Sequence, residues 1–383
     1  MHLLNLGTYP PKQCGIASFS NDLRDNLLLC GADVSVAAIS DTDYSYVYPS
    51  EVVYKIRQDR RSDYITKAKA INKDQDIKAV VIQHEYGIFG GEDGDYVLDF
   101  IYHLDKPFLL VTHTVLPHPT SHQRRVLSEL VKKAAAVISM TERSADLLAR
   151  VYQARPERVH VIHHGVPNFK VKDREELKKE YGLTGRRIIT TFGLIGPGKG
   201  IEKGLQALAA VVERHPDVLY IIAGGTHPML LKKQGESYRE MLINLVADLG
   251  LESHVKFVNR FLEVDQLGDY LYMTDVYLSP YPNRDQAVSG TLAYAIGCGR
   301  AIVATPYEYA LEMLREQRGL VAEDARPEFL ARLLNQVLSD AELQAELEKA
   351  ASTLGRTIKW SYTARQYMEL AEQVAESHER RVV

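Results

Sequence analysis

Residues 285–299, DQAVSGTLAYAIGCG, combine small and hydroxyl side chains where a loop is expected to run into a helix. The backbone N–H groups of Ser289, Gly290 and Thr291 would then lie at the open end of that helix, where the helix dipole favours negative charge. This stretch therefore predicts an anion-binding site.

A second candidate for anion binding is FGLIGPGKGIEKGLQAL, residues 192–208, in which a glycine-rich turn follows an expected strand and precedes an amphipathic helix. Lys199 stands at the end of that turn, where its ammonium group suits a phosphate. The stretch is not a Walker loop, because Gly200 occupies the place of the hydroxyl residue that would bind magnesium. A simply solvated lysine is the alternative interpretation.

The loop after the first expected strand, GTYPPKQCGIASFSNDLRDNL at 7–27, contains Gly15. A glycine lets backbone approach a ligand closely, although a plain tight turn is the alternative. Farther along, DTD at 41–43 has the spacing of a metal-binding motif but follows an early strand, and we interpret it as a surface turn. No metal site is predicted.

Two later loops of the first half are rich in polar groups. QHEYGIFGGEDGDY places His84 and Glu85 at an expected strand end beside the ring of Tyr86, and rings next to carboxylates suit the binding of sugars. THTVLPHPTSHQRR adds His118. Its histidine spacings match no metal-ligand pattern. We therefore predict that this loop binds a polar acceptor, together with His84, Glu85 and Tyr86 of the preceding loop.

Short apolar runs alternate with amphipathic segments along the chain, which is typical of βαβ units and parallel sheets. The series restarts after a charged stretch with Pro and Gly at 165–186, which predicts a linker. We therefore predict an α/β protein of two doubly wound, Rossmann-like domains facing across a cleft. The predicted parts are residues 1–168 as the first domain, 169–357 as the second, and 358–383 as a C-terminal helix returning toward the first domain.

Composition limits the class of protein. With 383 residues, 45% of them hydrophobic, and a net charge of -4, the chain is long enough for two cores and lacks the basic surplus of a nucleic-acid binder. Its three widely spaced cysteines indicate neither a disulfide framework nor a zinc cluster, so a cytoplasmic location is expected. No apolar run approaches the roughly 18 residues of a membrane span, while peripheral membrane contact stays compatible with the sequence.

Several motifs occur in the order found in one known family. The motifs of the second half are, in order, FGLIGPGKGIEKGLQAL, LYIIAGG, VKFVNRFLEVDQLGDYLYMTDVYLSPY, GTLAYAIGCGRAIVATPY and KWSYTARQYMELAEQV. Together they resemble the second half of the retaining glycosyltransferases of family four, the glycosyl transferases group 1. The first half is similar more loosely, through the loop at Gly15, THT around His113 and VIHHGV. The resemblance implies the GT-B fold, a donor-binding second domain, an acceptor-binding first domain, and no catalytic metal or other cofactor.

The resemblance also implies roles for single residues. Lys199 matches the family lysine and would stabilise the departing phosphate together with the amides of residues 289–291. Gly15 would bring first-domain backbone to the other side of that phosphate. His113 matches a strand-end histidine that contacts the donor sugar or its reaction centre, and a merely packed histidine is the alternative.

The chain departs from the family pattern at three places. Leu194 stands where a second phosphate-binding cation is usual, and Arg260 is the expected substitute. Gln286 and Tyr294 replace two glutamates that meet the donor sugar and the ribose of the nucleotide. Gln286 keeps hydrogen bonding without charge, whereas Tyr294 offers one hydroxyl and a ring, which puts ribose recognition in question.

The sequence thus predicts a hexosyltransferase that moves a sugar from a GDP- or UDP-sugar to a hydroxyl acceptor such as a saccharide. One alternative is a phosphorylase that uses a sugar 1-phosphate, because the changes at Leu194 and Tyr294 weaken the case for a nucleoside. Another is a non-catalytic sugar-nucleotide binder, against which the joint presence of Lys199, Gly290 and His113 argues.

Overall fold

The computed structural model describes residues 1–41 and 45–382 of the chain. Tertiary contacts divide it into two units, here called the N-terminal and C-terminal domains. The N-terminal domain comprises Met1–Gly165 and the segment that begins at Trp360, and the C-terminal domain comprises Val166–Lys359.

The N-terminal domain is built on a seven-stranded parallel sheet. Its strands are β1 His2–Gly7, β2 Asp33–Ser40, β3 Val52–Arg57, β4 Ile77–His84, β5 Phe108–Thr112, β6 Ala136–Ser139 and β7 Val159–Val161. They lie side by side in the order β3-β2-β1-β4-β5-β6-β7. The central strands are nearly continuous runs of buried aliphatic residues, as expected where helices cover both faces of a parallel sheet.

Helices connect these strands and cover the sheet. They are α1 Gly15–Leu29, α2 Arg61–Lys73, α3 Tyr96–Tyr102, α4 Ser121–Lys133 and α5 Glu142–Tyr152, with 3-10 turns at Glu92–Gly94 and Pro156–Arg158. Helix α1 begins where Cys14 caps it, since the Cys14 Sγ accepts a hydrogen bond from the Ala17 N–H. This cap fixes the start of α1 at the end of the loop 8–14 that follows β1.

The C-terminal domain contains a six-stranded parallel sheet with the order β10-β9-β8-β11-β12-β13. Its strands are β8 Arg187–Phe192, β9 Val218–Ala223, β10 Val255–Val258, β11 Val276–Ser279, β12 Ala301–Ala304 and β13 Leu320–Val321. Its helices are α6 Arg174–Glu180, α7 Ile201–Val212, α8 Pro228–Gln234, α9 Ser237–Asp248, α10 Val264–Met273, α11 Gly290–Gly297, α12 Glu308–Met313, α13 Pro327–Ser339 and α14 Ala341–Thr357, with a 3-10 turn at Pro197–Lys199.

The last helix, α15 (Trp360–Val382), belongs to the N-terminal domain and packs against α1. Trp360 is fully buried there, with its ring 5.0 Å from that of Phe19. Gly165 permits this packing, because a Cβ at that position would lie 2.1 Å from the Trp360 ring. None of the helices that the structure describes is both long enough and apolar enough to span a membrane.

The predicted fold class of two doubly wound domains is confirmed. The short apolar runs of the sequence coincide with the strands of the described residues except β3 and β13, which the apolar runs did not predict. Strand β3 lies at a sheet edge and alternates buried with exposed residues, so it contains no apolar run; β13 has only two residues. The cleft expected between the domains stays a prediction.

Candidate functional site

The order of the C-terminal sheet reverses between β8 and β11, which are neighbours although β9 and β10 separate them in the chain. In open parallel sheets, ligands bind at the carboxyl ends of the strands beside such a reversal. The loop after β8 carries Gly193 and Lys199, and the loop after β11 carries Tyr281 and leads into α11. The predicted phosphate-binding residues Lys199 and 289–291 therefore follow two adjacent strands.

Glycines bring these two loops together. Gly193 has a φ of +118°, and a Cβ there would lie 3.0 Å from Nζ of Lys199 and 3.1 Å from Cγ2 of Thr291. Gly200 has a φ of +59°, and a Cβ there would lie 2.2 Å from the carbonyl oxygen of Pro280. Larger residues would therefore push the lysine turn away from the loop that follows β11.

Lys199 is the first member of a hydrogen-bonded series that continues through three hydroxyl groups. Its ammonium group donates a short hydrogen bond to the hydroxyl of Tyr281 and lies 4.5 Å from the centroid of that ring. Oη of Tyr281 is 2.6 Å from Oγ1 of Thr291, which is 3.1 Å from Oγ of Ser289. Lys199 is therefore a positioned, half-buried cation and not a freely solvated one.

Helix α11 begins at the last member of this hydrogen-bonded series, Ser289. Ser289 caps the helix, because its Oγ accepts a hydrogen bond of 3.3 Å from the Leu292 N–H. The amides of Gly290 and Thr291 belong to the first turn, so no carbonyl within the helix can accept from them. The positive end of α11 and the ammonium group of Lys199 thus meet in one place, and together they suit a phosphate.

Tyr281 is only 4% exposed. Burial by itself raises the pKa of a phenol, but the charge of Lys199 and the hydrogen bonds of Thr291 and Ser289 outweigh it. The pKa of Tyr281 therefore lies below its usual value.

The two residues that depart from the family glutamates lie close to this site. Nε2 of Gln286 donates a hydrogen bond of 2.7 Å to the carbonyl oxygen of Val288, so the amide is turned toward its own loop. The half-buried ring of Tyr294 lies edge-on to Phe169, with centroids 5.7 Å apart, and stacks on Phe192 at 6.3 Å. Their roles toward a donor stay predictions.

Arg260 is exposed and follows β10, the edge strand of the C-terminal sheet. Strand β9 separates β10 from β8, and neighbouring strands are about 4.8 Å apart, so the backbone of Arg260 starts roughly 10 Å from β8. It is therefore more distant from Lys199 than the residues that follow β11. Its predicted contact with phosphate is untested.

The order of the N-terminal sheet reverses between β1 and β4. Gly15 is the first residue of α1, which follows β1 after the loop 8–14. Its predicted approach to a phosphate stays a prediction. Gly15 is exposed, and a Cβ there would meet no atom of the described residues within 4 Å. The space beside this backbone is therefore open.

His113 follows β5 and is tied to two other strands. Its Nε2 lies 2.8 Å from Oε1 of Gln83, and Nε2 of Gln83 donates a hydrogen bond of 2.8 Å to Oδ1 of Asn5. Burial, followed by the proximity of His164 and His84, lowers the pKa of His113 to about 3. His113 is thus held neutral with a fixed ring orientation.

His84, Glu85 and Tyr86 end β4 and start the next loop. His84 is 1% exposed, with its ring 4.9 Å from that of Tyr86, and burial lowers its pKa to about 3. The carboxylate of Glu85 accepts a short hydrogen bond from the Thr114 hydroxyl, and burial raises its pKa. Of these three residues, His84 and Tyr86 are buried and Glu85 is partly exposed; the fourth residue predicted to bind the acceptor is His118.

The structure brings together residues near α4 that the sequence spacing did not connect. Nδ1 of His122 lies 3.2 Å from Oδ2 of Asp93, and Glu92, Asp93 and His122 present possible metal-ligand atoms within 4.8 Å of one another. His118 is exposed in the loop before α4. Its predicted contact with an acceptor is untested.

The DTD motif is described only at its first residue. Oδ1 of Asp41 lies 2.5 Å from Nζ of Lys12, and Oδ2 accepts a hydrogen bond of 2.8 Å from Tyr46. Thr42 and Asp43 lie outside the described residues, so the predicted surface turn stays a prediction.

Sequence reasoning missed Tyr281, Gln83 and Asn5. Tyr281 lies two residues beyond the end of β11, in DVYLSPY, so its position at a strand end was the available signal. Gln83 and Asn5 are buried polar residues inside apolar strands. Such residues need hydrogen-bond partners, but their partners come from other strands and are not apparent from local sequence.

Comparison with known proteins agrees with this architecture. Residues 173–353 match the family model described as Glycosyl transferases group 1, and residues 22–168 match the model described as Glycosyltransferase Family 4. Among solved structures, HepE of Anabaena in complex with UDP is similar with a TM-score of 0.78 and 17% identity, covering 97% of this chain and 100% of HepE. Sucrose-phosphate synthase of Thermosynechococcus elongatus has a TM-score of 0.80 at 16% identity, covering 98% of this chain and 99% of that protein.

These structures define the class as proteins of the GT-B fold. With both family models matched across most of its length, the chain belongs to the family 4, or group 1, glycosyltransferases. The D-inositol 3-phosphate glycosyltransferase of Jonesia denitrificans is 27% identical over 65% of this chain and 59% of its own length. The alpha-D-kanosaminyltransferase of Streptomyces kanamyceticus is 26% identical over 66% of each protein. The match thus spans about six tenths of these curated relatives.

Proposed function

We propose that this protein transfers a hexosyl group from a nucleoside-diphosphate sugar to a hydroxyl acceptor, with retention at the anomeric carbon. The observation that carries the proposal is the meeting of Lys199 with the first turn of α11 beside the sheet reversal. A departing diphosphate needs fixed positive charge and backbone donors at one point. The solved structure of HepE contains UDP, which supports UDP over GDP as the first nucleotide to test.

In the proposed reaction, the bond between the anomeric carbon and the phosphate oxygen breaks, and its electron pair stays on the phosphate. Lys199 and the amides of residues 290–291 stabilise that charge. The acceptor oxygen forms the new bond on the same face of the sugar, which brings the acceptor hydroxyl next to the departing phosphate. The hydroxyl proton then moves to a phosphate oxygen, so no metal ion is needed in this scheme.

The acceptor is proposed to be a polyhydroxylated molecule. One relative is named D-inositol 3-phosphate glycosyltransferase and another alpha-D-kanosaminyltransferase, and the first name supports a cyclitol or saccharide as acceptor. In the N-terminal domain, the partly exposed carboxylate of Glu85 and the exposed ring of His118 offer hydrogen-bonding groups to such hydroxyls. A cytoplasmic location is proposed because Cys14, Cys30 and Cys298 are all free thiols.

One observation favours a second candidate function. The ring of Tyr294 packs against Phe169 and Phe192. A side chain held in this way is poorly placed to replace the family glutamate that hydrogen-bonds to the ribose. A phosphorylase that uses a sugar 1-phosphate has no ribose to recognise. The anion site at Lys199 would serve either donor.

Calorimetry separates these two functions. The protein is titrated with UDP, GDP, glucose 1-phosphate and inorganic phosphate at one ionic strength, with Lys199→Ala as the control for binding at the proposed site. The main proposal expects a nucleoside diphosphate to bind at least about tenfold more tightly than phosphate, a difference of about 1.4 kcal/mol. Binding of glucose 1-phosphate and phosphate without any binding of UDP or GDP would support the phosphorylase instead.

A further inference from the structure

Tyr281 has a fixed ring and a fixed backbone. Its ring stacks on that of Tyr307, with centroids 5.1 Å apart and planes inclined by 20°. Its carbonyl oxygen accepts a hydrogen bond of 2.5 Å from the hydroxyl of Thr305. Because both the ring and the backbone of Tyr281 are held, its phenolic oxygen has a fixed position.

The phenolic oxygen of Tyr281 lies between the loop after β8 and the loop after β11. The Tyr281 hydroxyl has Nζ of Lys199 on one side and Oγ1 of Thr291 at 2.6 Å on the other. Thr291 also supplies an amide of the first turn of α11. One oxygen therefore contacts both the cation and the helix end that we propose for phosphate.

The positive charge of Lys199 has no acidic partner among the described residues. Within the residues that the structure describes, Lys199 forms no ion pair, and its hydrogen-bond partner is the Tyr281 phenol. A half-buried ammonium group next to hydroxyls and helix amides favours the arrival of an anion. The lowered pKa of Tyr281 reflects the same uncompensated positive charge.

We propose that Tyr281 is a phosphate-binding residue of the donor site, which holds Lys199 in place and donates its O–H to the phosphate that Lys199 binds. The identity of the ligand rests on the proposed function. The hydrogen bond between Lys199 and Tyr281 does not depend on the proposed function, and it is tested separately.

The first experiment needs no ligand. Reductive methylation of the folded protein, followed by mass spectrometry, measures how readily the Lys199 amine reacts, with Lys203 as the internal reference. Tyr281→Phe keeps the ring but removes the hydroxyl that holds the ammonium group, so methylation of Lys199 should become roughly three- to tenfold faster, the scale of one hydrogen bond. Tyr309→Phe is the matched control, because the buried Tyr309 hydroxyl has no hydrogen-bond partner among the described residues, and it should leave the rate unchanged. An unchanged rate in Tyr281→Phe overturns the proposed hold on Lys199.

The second experiment measures binding of UDP and of inorganic pyrophosphate by calorimetry. At neutral pH, Tyr281→Phe should bind both roughly three- to tenfold more weakly than wild type, because one donor to the phosphate is lost. Tyr309→Phe, the matched control, should bind both as wild type does. Pyrophosphate shows whether the effect lies at the phosphate and not at the nucleoside.

The pH dependence separates this role from a merely structural one. Ionisation of Tyr281 replaces a donor by an anion facing the phosphate, so the affinity of wild type should fall as pH rises toward 10, starting below the ordinary pKa of tyrosine. In Tyr281→Phe that loss should begin at higher pH. The charged and titratable groups near the phenol are Lys199 and the buried Tyr277, Tyr307 and Tyr220, while His227 faces Lys199.

A second variant covers the case in which Tyr281→Phe fails to fold. Thr291→Val removes the other partner of the phenol, whose hydrogen bond lowers the pKa of Tyr281. The alkaline loss of affinity should then shift to higher pH. Identical affinity and pH profiles in wild type and both variants overturn the inference while leaving the proposed function intact. If wild type binds neither UDP nor pyrophosphate, the proposed function fails, and the methylation rates alone decide the role of Tyr281.

Discussion

Nε2 of His113 lies 2.8 Å from Oε1 of Gln83, an oxygen that can only accept a hydrogen bond. The other end of the same amide donates a hydrogen bond of 2.8 Å to Oδ1 of Asn5. With the Gln83 amide in this orientation, the ring proton of neutral His113 is on Nε2, and Nδ1 is an acceptor. This series of hydrogen bonds connects His113, after β5, to Gln83 in β4 and Asn5 in β1. It determines which ring nitrogen of His113 could contact a substrate hydroxyl.

Replacement of Gln83 by Met tests this series of hydrogen bonds. The variant keeps the length of the side chain but removes the acceptor for His113, so the imidazole loses its fixed tautomer and turnover should fall about tenfold. Affinity for UDP should stay unchanged if the donor binds mainly to the C-terminal domain. In the His113→Ala background the same change should have little further effect, because both act through one ring. Additive losses in steady-state turnover would show that Gln83 acts by another route.

The buried histidines of the N-terminal domain predict sensitivity to acid. Burial lowers the pKa of His84 and His113 to about 3 and that of His164 to about 4, against about 6.5 in the unfolded chain. The unfolded state therefore binds more protons below about pH 6.5, and the free energy of unfolding should fall as pH drops from there toward 4. Each histidine contributes at most about 1.4 kcal/mol per pH unit. Glu85, whose raised pKa favours a proton in the folded state, reduces this slope.

Urea denaturation at a series of pH values measures the effect, and Trp360, the one tryptophan of the chain, reports on this domain. His84→Gln should flatten the dependence by about one proton, whereas His118→Gln, at an exposed position, should not. Equal stability at pH 7 and pH 5 would contradict the neutral, buried state of the histidines.

The fold was largely predictable from the sequence, because the central strands of a parallel sheet are continuous apolar runs. Strand β3, with Lys55 and Arg57 among its residues, lacked that signal. The stretch around Ser289 was predicted as a loop leading into a helix, and α11 does begin there. The partner of Lys199 was not predictable, since Tyr281 is 82 residues away and reaches it only through the pairing of β8 with β11.

Lys199→Ala should lower turnover by roughly 10²–10³-fold, the scale for loss of a group that stabilises a leaving phosphate. The melting temperature should change little, because the lysine lies in a half-buried loop and forms no ion pair within the described parts of the chain. Lys203→Ala, four residues later in α7, is the matched control and should keep turnover. Near-normal turnover of Lys199→Ala at saturating donor would remove this residue from the proposed mechanism.

Activity should survive exhaustive treatment with EDTA, because a lysine and helix amides are proposed to balance the charge of the leaving group. Glu92, Asp93 and His122 are the described residues that could hold a metal ion, so His122→Ala extends the test. Turnover of this variant should equal that of wild type before and after chelation. Loss of activity that magnesium or manganese restores would overturn the metal-independent scheme, and a parallel loss in His122→Ala would locate the ion.

Tyr294 distinguishes the two candidate donors. Its ring packs against Phe169 and Phe192, so Tyr294→Phe should preserve the fold under either function. If the donor is a nucleotide sugar and the hydroxyl meets the nucleoside, Phe should weaken UDP binding by about 0.5–1.5 kcal/mol, the net value of one hydrogen bond. If the donor is a sugar 1-phosphate, Phe should have almost no effect on binding.

Tyr294→Glu gives the opposite contrast. With a nucleotide donor, the carboxylate can accept from the ribose hydroxyls, and UDP affinity should be maintained or improved. With a sugar 1-phosphate, the added charge lies near the phosphate site and should weaken glucose 1-phosphate binding by like-charge repulsion. Thermal unfolding must accompany both titrations, because a glutamate beside two phenylalanines also costs burial of a charge. Weaker UDP binding by a stably folded Tyr294→Glu, together with a silent Tyr294→Phe, would argue against recognition of the nucleoside by this position.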